Sequence, residues 1–399
     1  MHKVVLEGTK RMQTCKRCLY STNHPFGLEF VSGLCTGCLT FEEKNIINWD
    51  ERQAYLWDIL KAYKKKSSTY HCVIPVVGDA EDYFVLSKVL SLGLHPLIVA
   101  VNDYYKNDIG WHNLHNLITH FDVDSIIYNP ELTTYKELVR TSLRKYQHVL
   151  LPFLQLHTSF PVHIAVQRRI PLVIWGQNQS LEQVGKFSHH DFVEMTNWSR
   201  EENDLFNVNT KILISNGAQV NERSLNYYYY PNAGSINLRG VRGIYLSNYF
   251  RWDPIKQNSE AIKFHYKPEK TSMTFDYFER AGSSIYYGIH DLLKFKRIGY
   301  RKLVDQLSRE IRHGRVTRSQ AVLAGNSYSN YLPSIELFFK WLGVSESGKK
   351  WFIDHHLQKE LDALLSYKNS TIIVGDELEK FCGVAHEPVE HFVAFGKGV

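Results

Sequence analysis

Short apolar runs alternate with longer stretches in which apolar residues return every three or four positions. The runs are CVIPVV (72–77), HPLIVAV (95–101), DSIIYN (124–129) and IPLVIWG (170–176). Helical patterns fill 81–93, 109–121 and 133–146 between them. Strands that alternate with helices predict an α/β fold, a parallel sheet with helices on both faces. Ligands of such sheets bind outside the carboxyl ends of the strands, which puts 78–82, 102–103 and 176–178 on one rim.

The flanks read differently. The stretch 45–66 carries Ile46, Ile47, Trp49, Leu56, Ile59, Leu60 and Tyr63 at mostly helical spacing and predicts a connecting helix. Beyond residue 190 the alternation fades, leaving 242–254 as one further strand that runs into a loop. The stretch 300–324 predicts one helix, with Leu303, Leu307 and Ile311 on one face and Arg309, Arg312 and Arg315 near its end. Two more helices are predicted over 332–357, the second capped by Ser345 or Ser347. The aromatic run NYYYY at 226–230 reads as packing. The boundaries drawn are 1–45, 46–70, 71–255 and 256–399, the last mainly helical.

Composition narrows the classes. A chain of 399 residues has room for two or three domains. The net charge of +6 is spread out, with no Lys/Arg block beyond KKK at 64–66. That suits anionic small molecules better than nucleic acid. A basic aromatic face on 1–45 would support a nucleic-acid-binding ribbon, but only Lys16 and Arg17 lie inside it, so no nucleic-acid partner is expected. No run reaches the ~18 apolar residues of a membrane span. MHKVVLEGTKRMQTCKRC lacks the apolar core of a signal peptide, so a cytoplasmic protein is expected.

Six cysteines change the picture at the front of the chain. Cys15 and Cys18 form one CxxC turn, Cys35 and Cys38 another, and Cys72 and Cys382 stand alone. Each turn presents two thiolates, and two turns complete a tetrahedral S4 site. The pattern predicts a small zinc ribbon with a structural metal, since no coordination position is left open.

The turn after the first sheet strand has the geometry of a phosphate cradle: buried strand, glycine, helix. Its residues are Val77, Gly78, Asp79, Ala80, Glu81 and Asp82, three acids among them. Carboxylates suit a helix N-terminus that holds no other anion, so one reading is a capped helix. The other is a phosphate bridged by Mg²⁺, which is held through one or two carboxylates plus phosphate oxygens. On the same rim, Gly176, Gln177 and Asn178 read either as contacts to a base or sugar or as a turn cap, and the cap prevails on residue content. His290 and Asp291 are adjacent, a pairing that suggests acid–base work only where both meet a substrate.

Taken together the motifs resemble one family. CKRC…CTGC, INWDER, CVIPVVGDAEDY, HNLHNL, IPLVIWGQN, YLSNYFRWDP, GIHDLLKFKRIGY, DQLSREIRHGRVTR and FFKWLGV…WFIDHH follow one another in the order seen in the N-acetyl sugar amidotransferases of surface-polysaccharide and flagellin-glycan pathways (the WbpG/PseA type). These are a branch of the PP-loop ATP pyrophosphatases. The resemblance implies that ATP adenylates a sugar N-acetyl group and that ammonia then displaces AMP to leave an acetamidino group. It also implies a separate glutaminase subunit and an acidic or nucleotide-activated amino sugar. By the same resemblance, Gly78, Asp79, Glu81, Asp82, Val101, Asn102, Asn113, Gly176, Gln177 and Asn178 surround the nucleotide, with His290 and Asp291 completing the site. The departure lies in the loop, which the family writes S-G-G-x-D-S. Here the first Ser is Val77, the second Gly is Asp79, the Asp is Glu81 and the last Ser is Asp82. An unscreened carboxylate about 4 Å from a phosphate oxygen costs on the order of 4 kcal/mol at an effective dielectric near 20. Two readings follow: an amidotransferase with an altered, metal-dependent loop, or a catalytically degenerate relative that binds or scaffolds in the same pathway.

Overall fold

In the computed structural model, residues 13–66, 69–271, 273–279, 284–329 and 332–365 are described. Cys382 and the stretch 366–399 of the expected C-terminal region lie outside the described residues, as do 1–12. Strands β1 (Phe30–Val31) and β2 (Leu34–Cys35) form a small antiparallel ribbon that leads into helix α1 (Thr36–Glu43). Helix α2 (Trp49–Lys64) starts at Asn48, whose side chain accepts from the N–H groups of Asp50 and Glu51.

Five parallel strands follow: β3 (Cys72–Val76), β4 (Pro96–Val101), β5 (Ser125–Tyr128), β6 (Leu172–Trp175) and β7 (Arg242–Tyr245). Their order across the sheet is β5-β4-β3-β6-β7, all pairs parallel. Helices α3 (Ala80–Ser91), α4 (Asp108–His120), α5 (Leu132–Tyr146) and α6 (Leu151–Arg168) form the connections from β3 to β6, and short helical turns carry the chain from β6 to β7.

Strand alternation divides the core in two. Val73, Leu97, Val99, Val101, Val173 and Trp175 point to one face and pack with α5 and α6 through Leu138, Leu156 and Phe160. Cys72, Ile74, Val76, Ile98, Ala100 and Ile174 point to the other and meet Leu56, Leu86, Leu114 and Leu117 of α2, α3 and α4. Both faces are therefore covered, as the uninterrupted apolar runs required.

Pro75 sits in the central strand, where it removes a donor. The N–H groups of Ile98 and Asn102 donate to the Asp124 and Tyr128 carbonyls of the edge side, so Leu97, Val99 and Val101 turn their backbone polar groups toward β3. Val99 is opposite Pro75, so its bonds run to the residues on either side and Pro75 itself faces β6. The register between β3 and β6 is the single pair Val73–Val173.

Two elements depart from the expected pattern. Helix α6 escapes a periodicity reading because it is buried nearly all round and carries Pro161 in its interior, although Pro152 in its first turn is a start signal. The single helix expected over 300–324 is two, Lys302–Arg312 and Arg318–Ser329. Gly314, at φ +74, ends the first in the left-handed region, and the Thr317 hydroxyl accepts from Gln320 N to start the next. Helices Glu336–Leu342 and Glu346–His356 follow, the latter capped by Ser345, whose hydroxyl accepts from Gly348 N. Among the described residues no helix is long and apolar enough to cross a membrane.

The ribbon is tied to the body at several points. Thr36 donates its hydroxyl to the Val184 carbonyl at 2.9 Å, and Tyr20 donates to Asp305 at 2.9 Å. Gly185 has φ +66, and a Cβ there would lie 2.5 Å from the Thr36 carbonyl oxygen. Gly185→Ala therefore forces a strained backbone against the ribbon. Urea unfolding is expected to show a loss of about 1–3 kcal/mol, the usual cost of such a conformation.

Candidate functional site

The turn after β3 answers to its own side chain. One carboxylate oxygen of Asp82 accepts from the N–H groups of Val77 at 2.7 Å, Gly78 at 2.8 Å and Asp79 at 3.1 Å. Three converging N–H groups are the arrangement that holds a phosphate oxygen. Here they hold Asp82, reaching back from the first turn of α3. The path demands glycine at 78: φ is +91, and a Cβ would stand 2.9 Å from the backbone of Leu114. Glu81 points across the rim to β6, where it accepts from Gln177 N at 2.9 Å and lies against the Cα of Gly176.

Both sides of this rim open onto a cavity of about 950 Å³. Asp79, Glu81, Gln177, Gln179 and Glu182 line it on the sheet side, and Asn23, His24 and Phe26 on the ribbon side. The opposite wall comes from Tyr287–Ile298 and Lys302–Arg312, through Tyr287, His290, Lys294, Lys302, Gln306 and Arg309. The sequence does not announce that wall, because Arg309 and Arg312 read only as the end of a helix and Lys302 carries no motif. The cation spacing at 294, 297, 302, 309 and 312 is a signal only once the two helices are known to face the rim.

The predicted site residues separate. Gly78, Asp79, Glu81, Asp82, Gly176 and Gln177 come together at the rim. Val101 is core, and Asn102 bonds Asn129 at 2.8 Å and Tyr104 N at 2.9 Å. Asn113 clamps Lys267, donating to its carbonyl at 2.8 Å and accepting from its N–H at 2.9 Å. Asn178 caps the short helix Gln179–Glu182 by accepting from Ser180 N. His290 lines the cavity, whereas Asp291 turns away to Arg301 at 2.5 Å and the Lys302 N–H at 2.6 Å.

Charge is distributed unevenly over the cavity. The sheet side offers Asp79, together with Glu81 and Glu182, whose carboxyls burial raises and the second of which pairs with Lys44, and the far wall offers Lys294, Arg297, Lys302, Arg309 and Arg312. Much of the far wall is already paired: Lys294 with Asp305, and Arg309 with Asp276, Glu279 and Glu310. Burial lowers the histidines here, His24 to about 4 and His148 to about 3, with His290 well below its ordinary value. The positive charge is therefore that of lysine and arginine.

The four thiols of Cys15, Cys18, Cys35 and Cys38 are buried and lie within 4.8 Å of one another, a set that fits a metal ion. Arg312 joins this cluster to the rim: it contacts the Cys35 sulfur at 3.8 Å and donates to the Gln183 carbonyl at 2.7 Å.

Comparison with known proteins adds a family at the C-terminal end. Residues 269–373 match the family described as LPS biosynthesis protein WbpG-like, C-terminal domain. The chain is also 29% identical over 101 residues to an uncharacterized protein, MJ1599, of Methanocaldococcus jannaschii, a stretch that covers 25% of this chain and 36% of that one. Solved structures with a likeness include NMN synthetase from Francisella tularensis, at 13% identity and TM-score 0.29, covering 53% of this chain and 96% of that one. A second is NH3-dependent NAD synthetase from Campylobacter jejuni, at 10% identity and TM-score 0.28, covering 56% and 100%. At these TM-scores the two likenesses carry no argument, and the fold stands on the sheet itself.

Glu81 makes the rim sensitive to pH. Burial raises its carboxyl from 4.5 to about 8, against the opposing effect of the Gln177 hydrogen bond. The fold thus favours the protonated form, so this contribution to stability is complete below pH 4.5 and lost as pH rises through about 8. Over that window the urea midpoint of the wild type should fall relative to that of Glu81→Gln. Parallel pH profiles would mean that the carboxyl is solvated.

Proposed function

We propose, for a chain whose residues 269–373 match the WbpG-like family of LPS biosynthesis proteins, a ligand-binding role in surface-polysaccharide biosynthesis without ATP cleavage at the turn after β3. The observation that carries this reading is the Asp82 carboxylate held by three backbone N–H groups of that turn. A triphosphate would have to expel a covalently attached anion whose hydrogen bonds are charge-assisted, each about twice as strong as a neutral one. It would then face Asp79 on the same rim. The cavity remains, and its ligand in this reading is the acidic or nucleotide-activated amino sugar of the pathway.

A second reading keeps the amidotransferase reaction, with ATP, Mg²⁺ and ammonia from a partner glutaminase. What favours it is that Asp79 and Glu81 both line the cavity, where carboxylates could hold Mg²⁺ against phosphate oxygens. Calorimetric titration with ATP and Mg²⁺ separates the two. The first reading expects no saturation by ATP up to ~1 mM. The Asp79→Gly/Asp82→Ser variant, which empties the turn, serves as the comparison and is expected to gain affinity. Micromolar binding by the wild type overturns the first reading in favour of the second.

For the thiol cluster the proposed metal is Zn²⁺, in a structural role. Four thiolates and no open position suit it, and a ribbon of this size draws its folding energy from the metal. Metal analysis of the purified protein should find zinc, and Cys38→Ser should lose it and lower the thermal midpoint. Unchanged metal content in that variant would place the ion elsewhere.

A further inference from the structure

The KKK block at 64–66 takes no part in the cavity, and neither do the arginines at 168, 169 and 239. All of them lie at the amino end of the sheet, opposite the rim. Helix α2 ends at Lys64, which donates to the Leu92 carbonyl at 3.3 Å, and the chain then enters β3. Helix α6 ends at Arg168 and leads into β6, and the short helix Ala233–Arg239 leads into β7. Strands β3, β6 and β7 are neighbours in the sheet, about 4.8 Å apart, so these three starts form one row. The Arg242 N–H donates to the Pro171 carbonyl at 3.0 Å and keeps the last two in line.

Lys65, Lys66, Arg168, Arg169 and Arg239 are exposed, and none pairs with a carboxylate among the described residues. Cations at helix ends suit the helix dipole, which would explain each one singly. The dipole acts alike at every helix end, however, and the other two connections break the pattern. Residues 92–95 and 121–124, which lead into β4 and β5, contain no lysine or arginine, and the second stretch contains two aspartates. The charge is thus gathered on the β3–β6–β7 half of the edge. An apolar group stands with it: Leu238, next to Arg239, is 79% exposed on a helix that buries none of its residues.

Cations spread along a row have the geometry for an extended anionic surface. A bare leucine among them has a use where headgroups give way to acyl chains. A purely acidic polymer would answer the charge and leave Leu238 in water. We infer that the amino edge of the sheet, from Lys65 through Arg168 to Arg239, docks on an anionic lipid surface, with Leu238 entering the headgroup boundary. The cavity lies at the other end of the same strands and stays open to solution. This docking goes beyond the ligand reading of the cavity and does not depend on it.

Cosedimentation of the full chain with lipid vesicles tests it. Vesicles with about 30 mol% phosphatidylglycerol in phosphatidylcholine should carry the protein down at about 0.1 M salt and release it at about 0.5 M. Phosphatidylcholine alone should not carry it down. A cation near an anionic surface is worth about 1 kcal/mol, or about fivefold in partitioning. Arg168→Gln/Arg239→Gln and Lys65→Gln/Lys66→Gln should therefore each weaken binding about 25-fold. Both change only exposed side chains, and their thermal midpoints should match the wild type. Leu238→Ser should weaken vesicle binding about tenfold, from lost apolar burial, and leave binding to poly-L-glutamate unchanged. No cosedimentation with the anionic vesicles, or equal cosedimentation with the neutral ones, overturns the inference. So does wild-type binding by either double variant. Unchanged vesicle binding by Leu238→Ser overturns it too and assigns the row to an acidic polymer.

Discussion

Three backbone N–H groups converge after β3, and an anion must satisfy them. Everything at the rim follows from which anion it is. Asp82 supplies it from within the chain, so the turn is complete before any ligand arrives. With that oxygen in place, α3 starts from a capped turn. Gly78 is held in the left-handed region against Leu114, and Glu81 is left to reach over to Gln177. A strand–turn–helix built to grip a phosphate has become one that grips itself. The helix dipole is satisfied in both cases, which is why the fold tolerates the exchange.

The same economy of contacts joins three separate stretches of sequence around one cavity. Arg312 reaches the ribbon at Cys35 and the loop after β6 at Gln183, while Asp305 takes Tyr20 of the ribbon and Lys294 of the neighbouring helix. Residues nearly three hundred positions apart thereby share one hydrogen-bond network. The ribbon is a wall of the site as much as a metal module. Its position depends on buried charges whose partners come from the C-terminal helices, where unpairing one member of a network costs more than the pair contributes.

The sheet was legible because both of its faces are buried, which leaves uninterrupted apolar runs such as 95–101 and 170–176 that few other structures produce. Helix α6 was not, since a helix buried nearly all round has no polar face to set a period, and Pro161 reads as a breaker. The break at 313–317 was masked by Leu303, Leu307 and Ile311, whose spacing continues smoothly up to Gly314. At the site, the acids of the turn announced that phosphate chemistry had changed. That Asp82 folds back into the cradle, while Glu81 does not, depends on side-chain direction within one helical turn, which spacing alone does not specify. The basic wall was invisible for another reason: it exists only where two helices meet a sheet that is distant in sequence.

Pro75 sets the mechanical character of this arrangement. It offers no N–H to β6, so the seam that the Val73–Val173 pair sets in register is one ladder donor short on the way to the cavity floor. Nearer the rim the Glu81 carboxyl spans the same seam from α3 by accepting from Gln177 N. A side chain thus ties the cavity floor across the place where the proline leaves the sheet a bond short, as a staple does where a stitch is missing.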